Sequence, residues 1–184
     1  MQTGTKPGRI LRIAGSPSQL YGDSNSNPPG LFTIGTGTPT SGTPAIAELT
    51  GLSTSFDASP FGYVLMTVGG VQTLYIVDDS ASGTGGIGKW TLGSGGTWQM
   101  AWRTMGVGPQ SDGGTTPAGY RGLAGYATGG RVTLMASTGM GALLPNALVV
   151  ITDTGLATVP ASQTVVASSP ANTTFRGVAV PPHP

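Results

Sequence analysis

The sequence has no cysteine, one histidine and few charges, and each shortage removes a class of function. Without cysteine, disulfide frameworks and cysteine-ligated metal sites are excluded. The one histidine, His183, lies between prolines, and we interpret it as a solvated end, not a catalytic base. Nucleophile arrangements of the Ser-His-Asp and Cys-His kinds therefore lack their residues. Charged residues are 8% of the chain and the net charge is +1, which gives no electrostatic case for binding nucleic acid or an anionic membrane.

Long apolar runs are also missing. No segment reaches the roughly 18 apolar residues of a transmembrane helix, so no membrane span is predicted. The stretch from Met1 to Arg12 lacks the apolar core of a signal peptide, and we expect that any export signal has been removed or never existed. The polar, Thr/Ser/Asn-rich composition is compatible with an extracellular or cell-surface location.

Glycine and proline are abundant, and they argue against helices. The chain has 32 glycines and 15 prolines, and glycine costs about 1 kcal/mol and proline about 3 kcal/mol inside a helix. Short apolar runs bounded by turn residues indicate strands instead. Gly69-Gly70, Gly95-Gly96 and Gly129-Gly130 each separate two such runs and predict hairpins. The predicted strands are Ile10–Ala14, Gln19–Gly22, Leu31–Ile34, Ile46–Leu49, Tyr63–Val68, Thr73–Val77, Gly86–Leu92, Trp98–Thr104, Gly122–Tyr126, Arg131–Ser137, Ala147–Asp153, Thr164–Ala167 and Arg176–Val180.

The strands recur in groups of four. Tyr120-Arg121-Gly122-Leu123-Ala124 resembles Phe175-Arg176-Gly177-Val178-Ala179, and Pro60–Val64 and Gly8–Arg12 are looser copies of the same start. A single domain, 1–184, is predicted, with approximate repeats 9–52, 60–106 and 120–168 and an extra strand at 175–180. We expect an all-β fold of β-propeller blades: three four-stranded antiparallel sheets plus one extra strand. A β-sandwich, or hairpins without repeat symmetry, is the alternative.

Three blades leave a propeller open, because closed propellers have about four to eight blades. Three outcomes remain at this point. A second copy completes a six-bladed ring as a homodimer; the chain is part of a larger propeller; or copies stack edge to edge into a filament. We favour completion by a second chain, since closed homo-oligomers are most often dimers.

Several phrases, in order, resemble a family of uncharacterised, mostly bacterial, propeller-like repeat proteins. They are SPFGYVLM, TLYIVDD, GGIGKWTLGSGGTW, YRGLAGYATGGRVTLMAST, NALVVITDTG and ANTTFRGVAVPP, with LFTIGTGTPTSG earlier. The resemblance runs from about Ile10 to Pro182 and is to the C-terminal half of that family, whose members look roughly twice as long. It implies propeller-like repeats and carries no catalytic residue set.

The tryptophans are the first candidate ligand-binding residues. Trp90, Trp98 and Trp102 are close in sequence, with Tyr75 in the same repeat. Trp98 and Trp102 are four apart, so a regular strand would place them on one face. They predict either a platform for a sugar or peptide or packing between blades, and we favour packing.

Two further sets of residues are candidates. Arg121 and Arg176 open first strands, and their guanidinium groups are predicted either to line a central channel that binds an anion or to bind carbonyls between blades. Asp78 and Asp79 end a strand before a Gly/Ser loop. They predict a calcium site, since calcium takes carboxylate and carbonyl oxygens, or a turn cap. No other cofactor is predicted.

The function expected from these features is a non-catalytic β-propeller protein for assembly or binding, completed by homo-oligomerisation. The first alternative is a carbohydrate-binding, lectin-like module, and the second is a metal-dependent propeller hydrolase. A glycan or a protein is the expected class of ligand.

Overall fold

The computed structural model describes residues 11–15, 17–24, 30–52, 60–79, 85–108, 119–139, 145–155 and 162–180. Within these ranges the chain forms twelve β-strands and no helix, so the predicted all-β class is confirmed. The strands are β1 Leu11–Ala14, β2 Gln19–Ser24, β3 Gly30–Ile34, β4 Ile46–Glu48, β5 Pro60–Val68, β6 Val71–Asp78, β7 Gly86–Leu92, β8 Trp98–Thr104, β9 Tyr120–Thr128, β10 Arg131–Thr138, β11 Ala147–Asp153 and β12 Ser162–Ser168.

The strands form three four-stranded sheets in which chain order and spatial order agree. The first sheet contains β1 to β4, the second β5 to β8 and the third β9 to β12. Every pairing is antiparallel. The predicted three four-stranded antiparallel sheets are thus confirmed, and their meander order is that of propeller blades.

Two-residue Gly-Gly turns join the first two strands of the second and third sheets. Gly69 and Gly70 have φ of 57° and 84°, and Gly129 and Gly130 have φ of 57° and 78°. Positive φ at both central residues is the type I′ requirement, whose twist matches that of the flanking strands. These turns fix the register of both hairpins, as the sequence predicts.

The sheets stack through two hydrophobic clusters. One cluster joins the first and second sheets and includes Leu31, Tyr63 and Trp90. The other joins the second and third sheets and includes Tyr75, Val77 and Val149. Each sheet therefore covers an apolar face of its neighbour, because a single four-stranded sheet cannot bury its own faces. We call these contacts the first junction and the second junction.

The second sheet lies between the other two and is buried on both faces. Leu74 and Ile76 belong to the first junction, whereas Tyr75 and Val77 belong to the second. This alternation follows from the two-residue period of a strand. It explains why β6 reads as a continuous apolar run instead of alternating apolar and polar residues.

The predicted thirteenth strand, Arg176–Val180, pairs with no strand within this chain. Residues 169–180 form no strand here, and pairing with another chain stays a prediction. A strand is defined by its ladder of backbone hydrogen bonds, and the bonds to this segment come instead from a side chain: Asn146 Nδ2 donates to the Phe175 carbonyl (2.9 Å), and the Phe175 amide donates to Asn146 Oδ1 (2.8 Å). We call residues 174–180 the C-terminal segment.

None of the described residues belongs to a helix long and apolar enough to span a membrane.

Candidate functional site

The second junction contains a buried ion pair that the sequence did not predict. Lys89 Nζ, from β7, lies 2.7 Å from Asp153 Oδ2, at the end of β11. Tyr75 donates its hydroxyl to the same oxygen over 2.6 Å, and the Gly155 amide donates to Asp153 Oδ1 over 3.0 Å. Lys89 also donates to the carbonyl of Gly155. Three groups thus converge on one carboxylate across two sheets.

The same cluster is closed to solvent. The side chains of Lys89 and Asp153 are 2% and 0% exposed. Burial, the hydrogen bond to Asp153 and the charge of Asp153 all raise the pKa of Tyr75 above its usual value, so the phenol stays protonated and donating. A sealed group of this kind reaches no substrate, and its chemistry is that of a polar tie between sheets.

A second polar contact spans the same junction. Tyr120, at the start of β9, donates its hydroxyl to Gln163 Oε1 over 2.6 Å and accepts the amide of Val107 over 2.8 Å. Gln163 in turn donates to Thr104 Oγ1 and the Met105 carbonyl. The chain leaving β8 is thereby fixed onto the third sheet. Burial raises the pKa of Tyr120 to about 12, although the Val107 hydrogen bond opposes the shift.

Arg121 reaches back from the third sheet to the second. Its Nε donates to Asp79 Oδ2 over 2.7 Å, with side chains 31% and 10% exposed. Its guanidinium also lies 4.7 Å from the centre of the Phe61 ring, a cation–π distance. This arginine therefore binds a neighbouring sheet through a carboxylate and a ring, not through the carbonyls named in the sequence interpretation.

Arg176, the predicted equivalent of Arg121, has a different environment. It is exposed on the C-terminal segment. The structure does not repeat the Asp79 contact here, because the residue after β10, which corresponds to Asp79 after β6, is Gly139. An anion site that uses both arginines remains a prediction, and Arg9 and His183 lie outside the described residues.

Asp78 and Asp79 are neighbours in sequence but have different positions and contacts. Asp78 is the last residue of β6, pairs with Gly86 and is fully buried. Thr138 is its counterpart in β10, where the hydroxyl accepts the amide of Ala147, which is turn-capping chemistry. Asp79 faces Arg121. The structure groups no three or more His, Cys, Asp or Glu residues for a metal among the residues it describes, so calcium binding stays a prediction carried by carboxylate chemistry alone.

The prediction that Trp98 and Trp102 share a face is wrong. Trp98 belongs to the first junction and Trp102 to the second. The cause is a register shift in the β7–β8 pairing: Lys89 pairs with Trp102, but Trp90 pairs with Met100. One extra residue on β8 is a β-bulge, and it reverses the alternation.

All three tryptophans lie inside the sheet stack. Trp90 is 1% exposed, and Trp98 and Trp102 are each 5% exposed. Trp102 packs at 6.1 Å, centre to centre, against the ring of Tyr75. Their area is therefore used between sheets, as the packing interpretation expects, and a ligand platform would need them uncovered.

The outer face of the first sheet is apolar. Since Leu31 and Tyr21 pack toward the second sheet, the alternating residues on β2 and β3 point away from it. Pairing adds residues from the flanking strands, because Ile13 pairs with Leu20 and Ile46 with Ile34. We call the resulting surface the first end face. It consists of Ile13, Leu20, Phe32, Ile34 and Ile46, of which Ile13 is 60% and Ile46 43% exposed, whereas Phe32 is buried.

The outer face of the third sheet has the same character. Leu134 and Val149 pack into the second junction, so the residues that alternate with them point outward. Met135 pairs with both Ala124 and Val150 on this side. We call this surface the second end face. It consists of Ala124, Tyr126, Met135, Leu148 and Val150, of which Tyr126 is exposed, Ala124 is buried and the other three are partly buried.

A scan of the chain against protein-family models found no match, and a search of the curated proteins found none either.

Proposed function

We propose that this chain is a non-catalytic β-propeller protein of assembly or binding, whose ring of six sheets is completed by a second copy. The observation that supports it best is the pair of apolar end faces. Soluble monomers rarely leave large contiguous apolar surfaces open, and here a partly exposed apolar face terminates the stack of sheets at each end.

The two end faces are of opposite kinds, as a ring requires. The second end face is on the side of its sheet that corresponds to the Val64, Tyr75 and Ile87 side of the second sheet, which the third sheet covers. The first end face corresponds to the Leu74 and Trp90 side of the second sheet, which the first sheet covers. Placing one end face on the other would repeat a junction already present twice within the chain.

Two copies related by a twofold axis would form a closed ring through these complementary end faces. If the second end face of each copy packs on the first end face of the other, two identical junctions form at once. Six sheets fall within the four to eight blades of closed propellers, and twofold dimers are the commonest closed assembly. A filament would repeat the same contact without closure.

The environment of the ionisable groups supports a non-catalytic role. The strongest cluster of titratable side chains, Lys89 with Asp153 and Tyr75, is sealed in the second junction. The Arg121–Asp79 pair is partly exposed and joins the third sheet to the end of β6. Carbohydrate binding is less well supported, because the aromatic faces that would form a platform are packed between sheets.

Light scattering coupled to gel filtration tests the proposal directly. The full chain is expected to elute with twice the mass of one copy. Ile46→Lys on the first end face and Val150→Lys on the second should each give a folded monomer. Met100→Lys is the matched control, because Met100 is 49% exposed on β8 and belongs to neither end face; it should remain a dimer. A wild-type chain that stays monomeric at high concentration would refute the proposal.

A further inference from the structure

The C-terminal segment occupies the position of a first strand of a next sheet. A Cβ added to Gly62, on β5, would lie 3.0 Å from the Arg121 carbonyl and 3.6 Å from Leu123 Cβ, on the first strand of the third sheet. A Cβ added to Gly122, one repeat later, would lie 3.1 Å from Gly177 Cα and 3.3 Å from the Val178 amide. Gly177 and Val178 therefore have the same position relative to Gly122 that the start of β9 has relative to Gly62.

Specific contacts hold the segment in that position. Asn146 is fully buried, and its side chain bonds the amide and the carbonyl of Phe175 and donates to the Thr138 carbonyl. Its own amide donates to Ser169 Oγ, whose hydroxyl donates to the Thr173 carbonyl. The side-chain amide of Asn146 thus takes the place that a neighbouring strand would have, and it fixes where the segment leaves the third sheet.

The segment also has the sequence of a first strand. Phe175-Arg176-Gly177-Val178-Ala179 repeats the aromatic, arginine, glycine and apolar order of Tyr120–Ala124. At the third place of β9, glycine avoids a close contact, because a Cβ on Gly122 would lie 2.8 Å from Ser137 Oγ. In the run that leads into β1, Gly8 to Arg12, the corresponding residue is Ile10.

By contrast, the run that leads into β1 departs from the first-strand motif. Gly8 stands where β9 and the C-terminal segment open on an aromatic residue, and Ile10 stands where both have glycine. The C-terminal segment therefore matches the first-strand motif better than the run that leads into β1.

We propose that the C-terminal segment of each copy serves as the first strand of the first sheet of the other copy, where it replaces β1. The inference rests on the proposed closure by a second copy. The occupant is a second copy because the first sheet of this chain, with its end face open, is the acceptor that the segment's motif matches. Backbone hydrogen bonds along the added strand would then join the two chains, as in other exchanges of an element between identical protomers.

The repeat fixes the register of the exchange. In the second sheet Gly62 pairs with Val77, which pairs with Ile87. In the first sheet the counterpart of Ile87 is Leu31, and it pairs with Asp23. Gly177 is thus expected opposite Asp23 of the other copy, and antiparallel counting places Val180 opposite Leu20. Val180 would then take the place of Ile13, which pairs with Leu20 within one chain.

Cysteine cross-linking reads out this register cleanly, because the chain has no native cysteine. The variant Leu20→Cys/Val180→Cys is treated with a short bismaleimide and run on a denaturing gel. The matched variant Ile13→Cys/Leu20→Cys reports whether β1 keeps its place, and each single variant controls for collision between chains. If these variants do not fold, Tyr21→Cys/Ala179→Cys tests the neighbouring position in the same register.

The outcomes separate this inference from the proposed function. Exchange predicts a covalent dimer for Leu20→Cys/Val180→Cys and loss of the intrachain link in Ile13→Cys/Leu20→Cys. A dimer by light scattering that keeps the intrachain link and gives no interchain link overturns the exchange but leaves closure by a second copy. A wild-type monomer overturns both. A ladder of larger covalent products supports exchange and rejects the closed dimer.

Discussion

The ammonium of Lys89 lies 2.7 Å from the carboxylate of Asp153, and the two residues come from different sheets. Both side chains are closed to water. Two charges in this position stabilise the stack only as a pair, because a single buried charge without its partner carries the full cost of desolvation. The pair therefore makes the second junction sensitive to the loss of either residue.

The first prediction follows from that pair. Lys89→Met should lower the free energy of unfolding by about 3–5 kcal/mol, the usual cost of removing one partner of a buried pair. Lys89→Met/Asp153→Asn should lose less, because the asparagine oxygen still accepts from the Gly155 amide while no unpaired charge remains. Urea denaturation followed by circular dichroism measures both.

Arg131→Met is the control for this experiment. Arg131 is an exposed charged residue at the start of β10, and surface substitutions usually change stability by less than about 0.5 kcal/mol. If Lys89→Met behaves like Arg131→Met, or if the double variant is worse than the single, the buried pair does not stabilise the junction as argued.

No local sequence signal could have found the pair. Lys89 lies in the run Gly86–Leu92, which predicts a strand but does not indicate what the lysine side chain contacts. Its partner ends a strand of the next repeat, and the contact depends on how two sheets stack. The bounds of β7, β8 and β11 were nevertheless predicted to the residue, because apolar content and flanking turn residues are local properties.

The second prediction concerns the two tryptophans of β8. Trp98→Ala and Trp102→Ala should each lower stability by about 3–5 kcal/mol, as loss of a buried aromatic side chain does. Since the two rings fill different junctions, their effects should add to within about 0.5 kcal/mol. Denaturation of the two single variants and the double variant gives the coupling energy.

A large coupling energy would mean that Trp98 and Trp102 share a cluster, in conflict with the register shift at Trp90. Met100→Ala, at a 49% exposed position between them, is the matched control and should change stability little. If the double alanine variant does not fold, the same cycle can be closed with phenylalanine at both positions.

The third prediction is a loss of stability at high pH. Burial raises the pKa of Tyr120 to about 12, whereas a tyrosine in the unfolded chain titrates near 10. The folded state therefore keeps this proton to higher pH. The resulting stabilisation is complete below about pH 10 and is lost as the pH rises from about 10 through 12. The raised pKa of Tyr75 acts in the same direction.

Urea denaturation at a series of alkaline pH values measures this loss. Tyr120→Phe should start from lower stability, because the hydroxyl contacts to Gln163 and Val107 are gone, but its stability should fall less steeply with pH. Met100→Ala, at an exposed position outside both end faces, should follow the wild-type curve. If the free energy of unfolding of Tyr120→Phe falls with pH as steeply as that of wild type, ionisation of Tyr120 does not cause the loss.

The fourth prediction contrasts the partly exposed Arg121–Asp79 pair with the buried Lys89–Asp153 pair. Asp79→Asn should lower stability by less than about 1 kcal/mol, because the Arg121 side chain is 31% exposed and partly exposed ion pairs are screened by solvent. The effect should shrink further in concentrated salt. Denaturation at low and high salt measures the contribution of the pair to stability. A salt-independent loss of several kcal/mol would contradict the argument that solvent screens this pair.

Several parts of the fold could be predicted from the sequence because their causes are local. The Gly-Gly dipeptides predicted the hairpins, and the repeated starts predicted the grouping of strands into sheets. Two features of the strands lacked such a local signal. The bulge on β8 has no marker in the run from Trp98 to Trp102, and β5 begins at Pro60, not Tyr63, because a proline is tolerated as the first residue of a strand.

The C-terminal segment shows the limit of motif reasoning most clearly, and it gives the last prediction. Its motif predicted a strand, yet a strand also needs a paired neighbour, and the structure supplies the side chain of Asn146 instead. Asn146→Ala should therefore release Phe175, with faster hydrogen exchange at its amide, and it also removes the bond to the Thr138 carbonyl at the end of β10. Ser168→Ala, an exposed neighbouring position on β12, should leave that exchange unchanged. Equal protection of Phe175 in wild type and Asn146→Ala would show that other contacts hold the segment, and the placement of Gly177 beside Gly122 would then need a different cause.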